Sequence, residues 1–132
     1  MIFDSSVWAA LASADLEHEA VIAVAGDMQV FASTVSLGEL RFGVEICEDP
    51  AQRALRAAFL RQVETRPVLD LTRHTAAAFG MLAAAVKRTG RSPRPRYNDL
   101  WLAAQAIEHG YAVLTRNARD FADLPGLRII AI

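Results

Sequence analysis

The chain has 132 residues, of which 53% are hydrophobic and 22% are charged, and its formal net charge is −1. These values predict one globular domain with a true core, and they exclude both disorder and a generally basic surface for nucleic acid. The single cysteine, Cys47, excludes a disulfide framework and a cysteine-based zinc site. We expect a cytoplasmic protein, because the sequence shows neither a signal peptide nor an apolar span long enough for a membrane helix.

Short β-like runs alternate along the chain with helical patterns. The predicted strands are Met1–Asp4, Gln29–Ser33, Pro67–Leu71, Ala112–Thr115 and Leu127–Ile132. The predicted helices are Ser6–Ala12, Glu17–Ala25, Val35–Cys47, Ala51–Glu64, Thr75–Thr89 and Asp99–His109. Helices between strands predict parallel crossovers. The expected fold is therefore α/β, a single domain over residues 1–132 in which a parallel β-sheet of about five strands is flanked by helices on both faces.

Asp4 stands at the carboxyl end of the first predicted strand, which is the edge where open parallel sheets bind ligands. Aspartate is also a common N-cap, so Asp4 could serve only to begin the next helix. Ser5 and Ser6 could cap that helix instead and leave the Asp4 carboxylate free.

Glu39 shares a helical stripe with Val35, Phe42 and Ile46, which are all apolar. A glutamate on such a stripe is costly unless it is paired or bound to a cation. Two alternatives remain, in which Glu39 reaches solvent at the edge of the stripe or pairs with an arginine.

Asp99 begins a predicted helix with almost no polar face, so the first turn of that helix should aim inward. The alternative is ordinary helix capping by Asn98 or Asp99. Several carboxylates brought to one place cannot all stay ionised without a cation. Taken together, Asp4, Glu39, Asp99 and the turn at residues 115–120 indicate a metal site.

Four motifs follow in order along the chain: Ile2–Trp8 (IFDSSVW), Glu39–Gly43 (ELRFG), Asn98–Ala106 (NDLWLAAQA), and Leu114–Asn117 (LTRN) with Asp120-Phe121. In this order and spacing the chain resembles the PIN-domain ribonucleases, and most of all the VapC toxins of bacterial toxin–antitoxin pairs. The resemblance implies a pocket in which Asp4, Glu39 and Asp99 coordinate Mg²⁺ or Mn²⁺. It also implies hydrolysis of RNA that leaves a 5′-phosphate and a 3′-hydroxyl.

The fourth position of the family's pocket is usually acidic, but Asn117 stands there in this chain. Asn117 can offer a carbonyl oxygen to the site, and Asp120 could supply the missing charge. The alternative function is a catalytically degenerate PIN-fold binding subunit without nuclease activity. A phospho-acceptor receiver domain is a poor match, because the only lysine, Lys87, lies inside a predicted helix.

The chemistry of the ligands favours Mg²⁺ or Mn²⁺, because carboxylate oxygens suit hard cations and no histidine cluster is offered for zinc. His18, His74 and His109 are far apart in the sequence and are expected at the surface. Basic residues precede Asp99 and follow the fourth predicted strand, where they could bind RNA phosphates, or form only a solvated loop. The residues assigned to substrate binding are Ser5, Thr115, Arg94, Arg96 and Arg116.

The third and fourth predicted helices carry more large apolar side chains than one sheet face needs, which indicates an interaction groove. The residues assigned to it are Trp8, Phe42, Ile46, Phe59 and Leu60, with Leu11, Leu55 and Val63 beside them. By resemblance, the partner is a VapB-type antitoxin that reaches the carboxylates with an arginine. We expect both a homodimer and a toxin–antitoxin hetero-oligomer. The alternative is that these residues only pack the helices together.

Overall fold

The computed structural model describes residues 1–132. The strands are β1 Ile2–Phe3, β2 Ala32–Ser33, β3 Val68–Leu69, β4 Ala112–Thr115 and β5 Arg128–Ala131. The α-helices are α1 Ser5–Ala12, α2 His18–Ala25, α3 Thr34–Glu45, α4 Pro50–Glu64, α5 Arg73–Arg88 and α6 Tyr97–His109, with 3₁₀ turns at Arg94–Arg96 and Ala118–Asp120. The predicted α/β alternation is confirmed. None of the helices is long and apolar enough to cross a membrane.

All paired strands are parallel, as the crossovers require. β4 lies between β1 and β5 in a three-stranded sheet, while β2 and β3 form a separate two-stranded sheet. Phe31 bridges the two sheets, because its N–H donates to the carbonyl of Met1 at 2.9 Å and its carbonyl accepts from the N–H of Phe3 at 3.3 Å. The five predicted strands therefore exist, but three of them are only two residues long and are joined across the middle by a single bridge.

The core occupies both faces of the sheet, because successive strand residues point in opposite directions. Ile2 and Val113 belong to a buried cluster built mainly from α5 and α6. Phe3 and Leu114, their neighbours in sequence, belong to a second cluster that includes side chains of α1, α2 and α4. Helices thus cover both faces, as the sequence predicts.

Polar caps explain why several helices begin one or two residues earlier than predicted. The Ser33 hydroxyl accepts from the N–H of Val35 at 3.0 Å, and the Thr72 hydroxyl accepts from the N–H of His74 at 3.0 Å. The α6 helix begins at Tyr97 rather than Asp99, because the 3₁₀ turn at Arg94–Arg96 leads directly into it. Gly110 ends α6 in the left-handed conformation, with φ of 67°, as predicted.

A buried glutamine fixes α6 against the neighbouring strands. Gln105 is fully buried. Its Oε1 accepts from the Ser33 hydroxyl at 2.5 Å, and its Nε2 donates to the carbonyl of Leu69 at 2.8 Å. Because Ser33 also begins α3, this link sets α6, which carries Asp99, relative to α3, which carries Glu39.

Candidate functional site

Asp4 follows β1 and is almost fully buried, with 6% of its surface exposed. It occupies the N-cap position of α1, but its carboxylate caps no helix N–H. Instead, Oδ2 accepts from the Ser6 hydroxyl at 2.6 Å and from the Thr115 hydroxyl at 2.9 Å. The capping alternative is therefore wrong for this side chain, which is oriented by hydroxyl groups at the carboxyl ends of β1 and β4.

Glu39 lies in the middle of α3 and is partly exposed. Its Oε1 accepts from Asn98 Nδ2 at 2.7 Å, and no arginine pairs with it. The stripe that Glu39 shares with Phe42 and Ile46 is not buried, because both of these apolar side chains are exposed. The buried residues of α3 are Ser36 and Val44. Because Ser36 is small and polar, the pattern of hydrophobic residues does not identify the inward face of this helix.

Asp99 is the third residue of α6 and is half-buried. Burial raises the pKa of its carboxyl group from 3.8 to about 6, repulsion from Asp4, Asp120 and Glu39 adds to the rise, and Arg96 opposes it. No side chain caps the start of α6, so the capping alternative is also wrong for Asn98 and Asp99. Burial is thus the larger cause of the raised pKa, and the neighbouring carboxylates add to it because no nearby cation fully compensates their charge.

These side chains line one open cavity of about 290 Å³ at the carboxyl ends of β1 and β4, which we call the acidic pocket. Its polar lining residues are Asp4, Ser5, Ser6, Glu39, Asp99, Asn117 and Asp120. No basic side chain lines it. The structure therefore brings the sequence-predicted carboxylates together and adds a fourth, Asp120, beside Asn117.

The donors of the acidic pocket are hard oxygen atoms, of the kind that Mg²⁺ and Mn²⁺ prefer. In this arrangement no three carboxylate, imidazole or thiolate groups converge closely enough to ligate one ion directly. Mg²⁺ usually keeps several waters and uses only one or two protein carboxylates. The residues present thus fit a hydrated divalent cation better than a cage built entirely from protein ligands.

The residues predicted to bind substrate fall into two groups. Thr115 is fully buried and donates its hydroxyl to Asp4, so it positions that carboxylate and the prediction that it contacts substrate is wrong. Arg96 is engaged with Asp123 and is not free. Arg94 and Arg116 are exposed, and neither side chain forms an ion pair. Ser5 lines the acidic pocket.

Other sequence-based expectations concern residues outside the acidic pocket. His18, His74 and His109 are exposed and do not line it, as predicted. The basic segment before Asp99 is not a loose loop, because Arg91 and Arg96 both pair with Asp123. Cys47 is a free thiol.

Of the residues assigned to partner binding, some are exposed and others are buried. Phe42 and Ile46 are 64% and 57% exposed, as an open surface requires. Leu60 is 1% exposed and packs in the core, so its assignment to the groove is wrong. Among the other apolar residues of α4, Leu55 is exposed and Val63 is buried. The sequence pattern alone did not show which of them face the core. Trp8 is buried, and Phe59 is partly buried.

Two further cavities lie in series beyond the acidic pocket, and only the first of them shares lining residues with it. A groove of about 400 Å³ along α1, α3 and α4 shares Ala9, Glu39 and Leu40 with it. A second, mainly apolar cavity of about 470 Å³, lined by side chains of α1, α2 and α4, shares Phe59 with that groove. We call these two cavities together the docking track. It runs from an apolar end, where Trp8 lies, to the four carboxylates.

Sequence reasoning missed three functional contacts of different kinds. Ser6 was considered only as a cap, although a hydroxyl two residues after a strand-end aspartate can reach that carboxylate, and this signal was present in the sequence. Asp123 carried no such signal, because its partner Arg96 lies 27 residues away. Asn98 was noted only as a capping candidate, yet it holds Glu39.

Comparisons with known proteins agree with this geometry. Residues 1–127 match the family model of the PIN domain. The chain is 34% identical over 131 residues to a protein named Ribonuclease VapC5 from Mycobacterium tuberculosis, covering 99% of this chain and 92% of that protein. It is 33% identical over 98 residues to a protein named tRNA(fMet)-specific endonuclease VapC from Salmonella typhimurium, covering 74% and 70%.

Solved structures are similar over nearly the whole chain. The VapBC-5 toxin–antitoxin structure from Mycobacterium tuberculosis superimposes with a TM-score of 0.79 at 31% identity, covering 99% of this chain and 97% of that one. The DNA-bound VapBC from Salmonella typhimurium gives a TM-score of 0.80 at 25% identity, covering 98% and 96%. VapBC2 from Rickettsia felis gives 0.82 at 19% identity, covering 99% and 98%, a likeness that shows the fold alone.

Proposed function

Because the chain belongs to the PIN-domain family, and within it to the VapC type, we propose that it is a metal-dependent endoribonuclease toxin that is neutralised by a VapB-type antitoxin. The observation that carries the proposal is the acidic pocket, which gathers four carboxylates and no basic side chain at the carboxyl ends of parallel strands. A cytoplasmic location is part of the same proposal.

In this proposal, Asp4, Glu39 and Asp99 hold Mg²⁺ or Mn²⁺, with Asn117 and Asp120 at the fourth side. Such an ion supplies Lewis-acid stabilisation for hydrolysis of a phosphodiester. The protein contributes orientation: Ser6 and Thr115 fix the Asp4 carboxylate, and Asn98 fixes Glu39. Groups that orient the ligands of a metal ion in this way typically raise metal affinity or activity.

RNA reaches this pocket past exposed arginines. Arg116 follows β4 directly, and Arg94 lies five residues before Asp99. Both are exposed and unpaired, so their guanidinium groups are free to bind phosphate. Such contacts supply affinity that falls with salt, but they do not select a sequence. Phosphate contacts are therefore assigned to Arg94 and Arg116.

The test of activity uses purified toxin, free of partner, with single-stranded RNA and either Mg²⁺ or Mn²⁺. Cleavage should require the ion and stop with a chelator. Asp4→Asn should lower the rate by at least a hundredfold, whereas Asp27→Asn, an exposed carboxylate outside the pocket, should leave it unchanged. Equal cleavage by the parent and by Asp4→Asn would show that the acidic pocket is misassigned. Absence of cleavage together with tight antitoxin binding would favour the degenerate binding subunit.

The docking track supports the antitoxin part of the proposal. Its apolar end suits the hydrophobic face of a helix, and its other end suits a basic side chain among the carboxylates. A segment lying along the track would therefore pair an apolar anchor with an arginine that blocks the acidic pocket. Phe42 and Ile46 are exposed but line none of the three cavities, so the docking track does not include these two residues of the predicted groove.

The antitoxin test compares two exposed apolar residues. Leu55 lines the groove of the docking track and is 63% exposed, whereas Met81 on α5 is 71% exposed and lines none of the three cavities described. Leu55→Glu should weaken antitoxin binding at least tenfold while RNA cleavage by the free toxin persists. Met81→Glu should leave binding unchanged. If both variants bind equally well, the antitoxin does not use the groove.

A further inference from the structure

Arg96 precedes α6, and its guanidinium contacts the loop that follows β4. Nη1 and Nη2 donate to the two carboxylate oxygens of Asp123 at 3.1 and 3.0 Å. Nη2 also donates to the backbone carbonyl of Asp120. Only 17% of the side chain is exposed, and these three hydrogen bonds engage both terminal nitrogens, while Nε is buried without a partner. A planar fork of this kind is a geometry that arginine makes and lysine does not.

The loop held by this fork carries the two residues at the fourth side of the acidic pocket. Asn117 and Asp120 both line the pocket, but only Asp120 is charged. The 3₁₀ turn at Ala118–Asp120 joins them, and the N–H of Asp120 donates to the carbonyl of Asn117 at 2.9 Å. The backbone of Asp120 is therefore held from two sides, by the carbonyl of Asn117 and by the guanidinium group of Arg96.

Resting on the proposed function, we propose that Arg96 is a positioning residue whose fork, made with Asp123 and the Asp120 carbonyl, holds Asp120 beside Asn117 at the fourth side of the acidic pocket. Arg96 acts through Asp120 and does not bind RNA. An arginine whose terminal nitrogens already meet a carboxylate would have to break that pair to bind phosphate. Arg94, two residues earlier, is exposed and unpaired, and it serves that purpose instead.

Calorimetric titration with Mn²⁺ tests this assignment without requiring any RNA cleavage. Arg96→Lys keeps the positive charge near Asp99 but removes the two-pronged hydrogen bonding. Asp123→Asn removes the negative charge of the carboxylate to which Arg96 donates. Each should weaken Mn²⁺ binding about tenfold, as loss of a group that orients metal ligands typically does. Asp120→Asn should weaken it at least as much. The double variant Arg96→Lys/Asp120→Asn should bind Mn²⁺ little more weakly than Asp120→Asn alone, because both substitutions act through the Asp120 carboxylate.

Arg91→Gln is the matched control, because Arg91 pairs with the same Asp123 but does not contact Asp120. It should change Mn²⁺ affinity less than twofold. RNA binding measured by fluorescence anisotropy in chelator should be equal for the parent, Arg96→Lys and Asp123→Asn. Thermal unfolding of each variant in chelator checks that the fold is kept.

The outcomes separate the proposals. If Asp123→Asn and Arg96→Lys bind Mn²⁺ like the parent, the positioning role is overturned. The positioning role is also overturned if Arg96→Gln weakens RNA binding and lowers the slope of log affinity against log salt concentration by about one. That change is expected when one phosphate contact is lost. Unchanged Mn²⁺ affinity in Asp120→Asn removes Asp120 from the fourth position. A parent protein that binds no Mn²⁺ overturns the metal centre of the proposed function together with this inference.

Discussion

Replacing Asp99 with asparagine should stabilise the metal-free protein at neutral pH. Burial and repulsion from its neighbours raise the pKa of Asp99 from 3.8 to about 6. A carboxyl group with a raised pKa in the folded state destabilises the fold once it is ionised. The amide has nearly the same shape and no charge, so the substitution removes the repulsion and leaves the packing intact.

The size of the effect follows from the shift. Roughly two pKa units correspond to about 3 kcal/mol as an upper limit, and solvent screening of this half-exposed group reduces it to about 1.5 kcal/mol. The substitution also removes the favourable interaction of a carboxylate with the first turn of a helix, about 0.5 kcal/mol. The net gain is about 1 kcal/mol, or roughly 3 °C in melting temperature for a domain of this size.

The gain should depend on pH with a definite sign. Above pH 6 both folded and unfolded Asp99 are ionised, and the penalty is fully present. Between pH 6 and about 4 the folded carboxyl group takes up its proton while the unfolded one stays ionised, so the penalty fades. Below the ordinary pKa of 3.8 both are protonated, and Asp99→Asn should no longer differ from the parent.

Urea denaturation in chelator at pH 7.5 and at pH 4.5 measures this difference. Glu108→Gln is a control of opposite sign, because hydrogen bonds from Thr72 and Thr75 lower the pKa of Glu108 and stabilise the ionised form. It should destabilise the protein at pH 7.5, and this loss should shrink as the pH falls below 4.5. The reasoning would be refuted if Asp99→Asn is less stable than the parent at pH 7.5. It would also be refuted if the difference in free energy of unfolding between variant and parent is the same at both pH values.

Three more predictions concern the groups that build the pocket. Gln105→Leu should cost about 2–4 kcal/mol in urea denaturation, because it leaves two buried polar partners unpaired, while Gln52→Leu at the exposed start of α4 should cost less than about 0.5 kcal/mol. Ser6→Ala removes a hydrogen bond to Asp4 and should lower kcat about tenfold with little change in KM, as measured by initial rates of RNA cleavage. Asn117→Asp should raise Mn²⁺ affinity in calorimetry; no gain would remove Asn117 from the metal site.

Local chemistry in the sequence determined the fold class and most of the pocket. Alternating strand and helix patterns required parallel crossovers, and parallel strands bring their carboxyl ends to one edge. Asp4 and the turn after β4 therefore come to the same edge, and the start of α6 brings Asp99 beside them. The end of α6 at Gly110 was equally local, because glycine adopts the left-handed conformation at little cost.

Tertiary structure alone decided which face of each helix is buried and which partner each long side chain takes. Ser36 lies in the inward face of α3 and Leu60 in that of α4, because neighbouring elements, more than hydrophobicity, set helix rotation. Arg96 could have faced RNA, but its flexible side chain reaches Asp123, 27 residues away in sequence. Thr115 orients Asp4 across 111 residues for the same reason. Contacts between residues far apart in sequence depend on how the helices and strands pack against each other. A local sequence pattern does not contain this information.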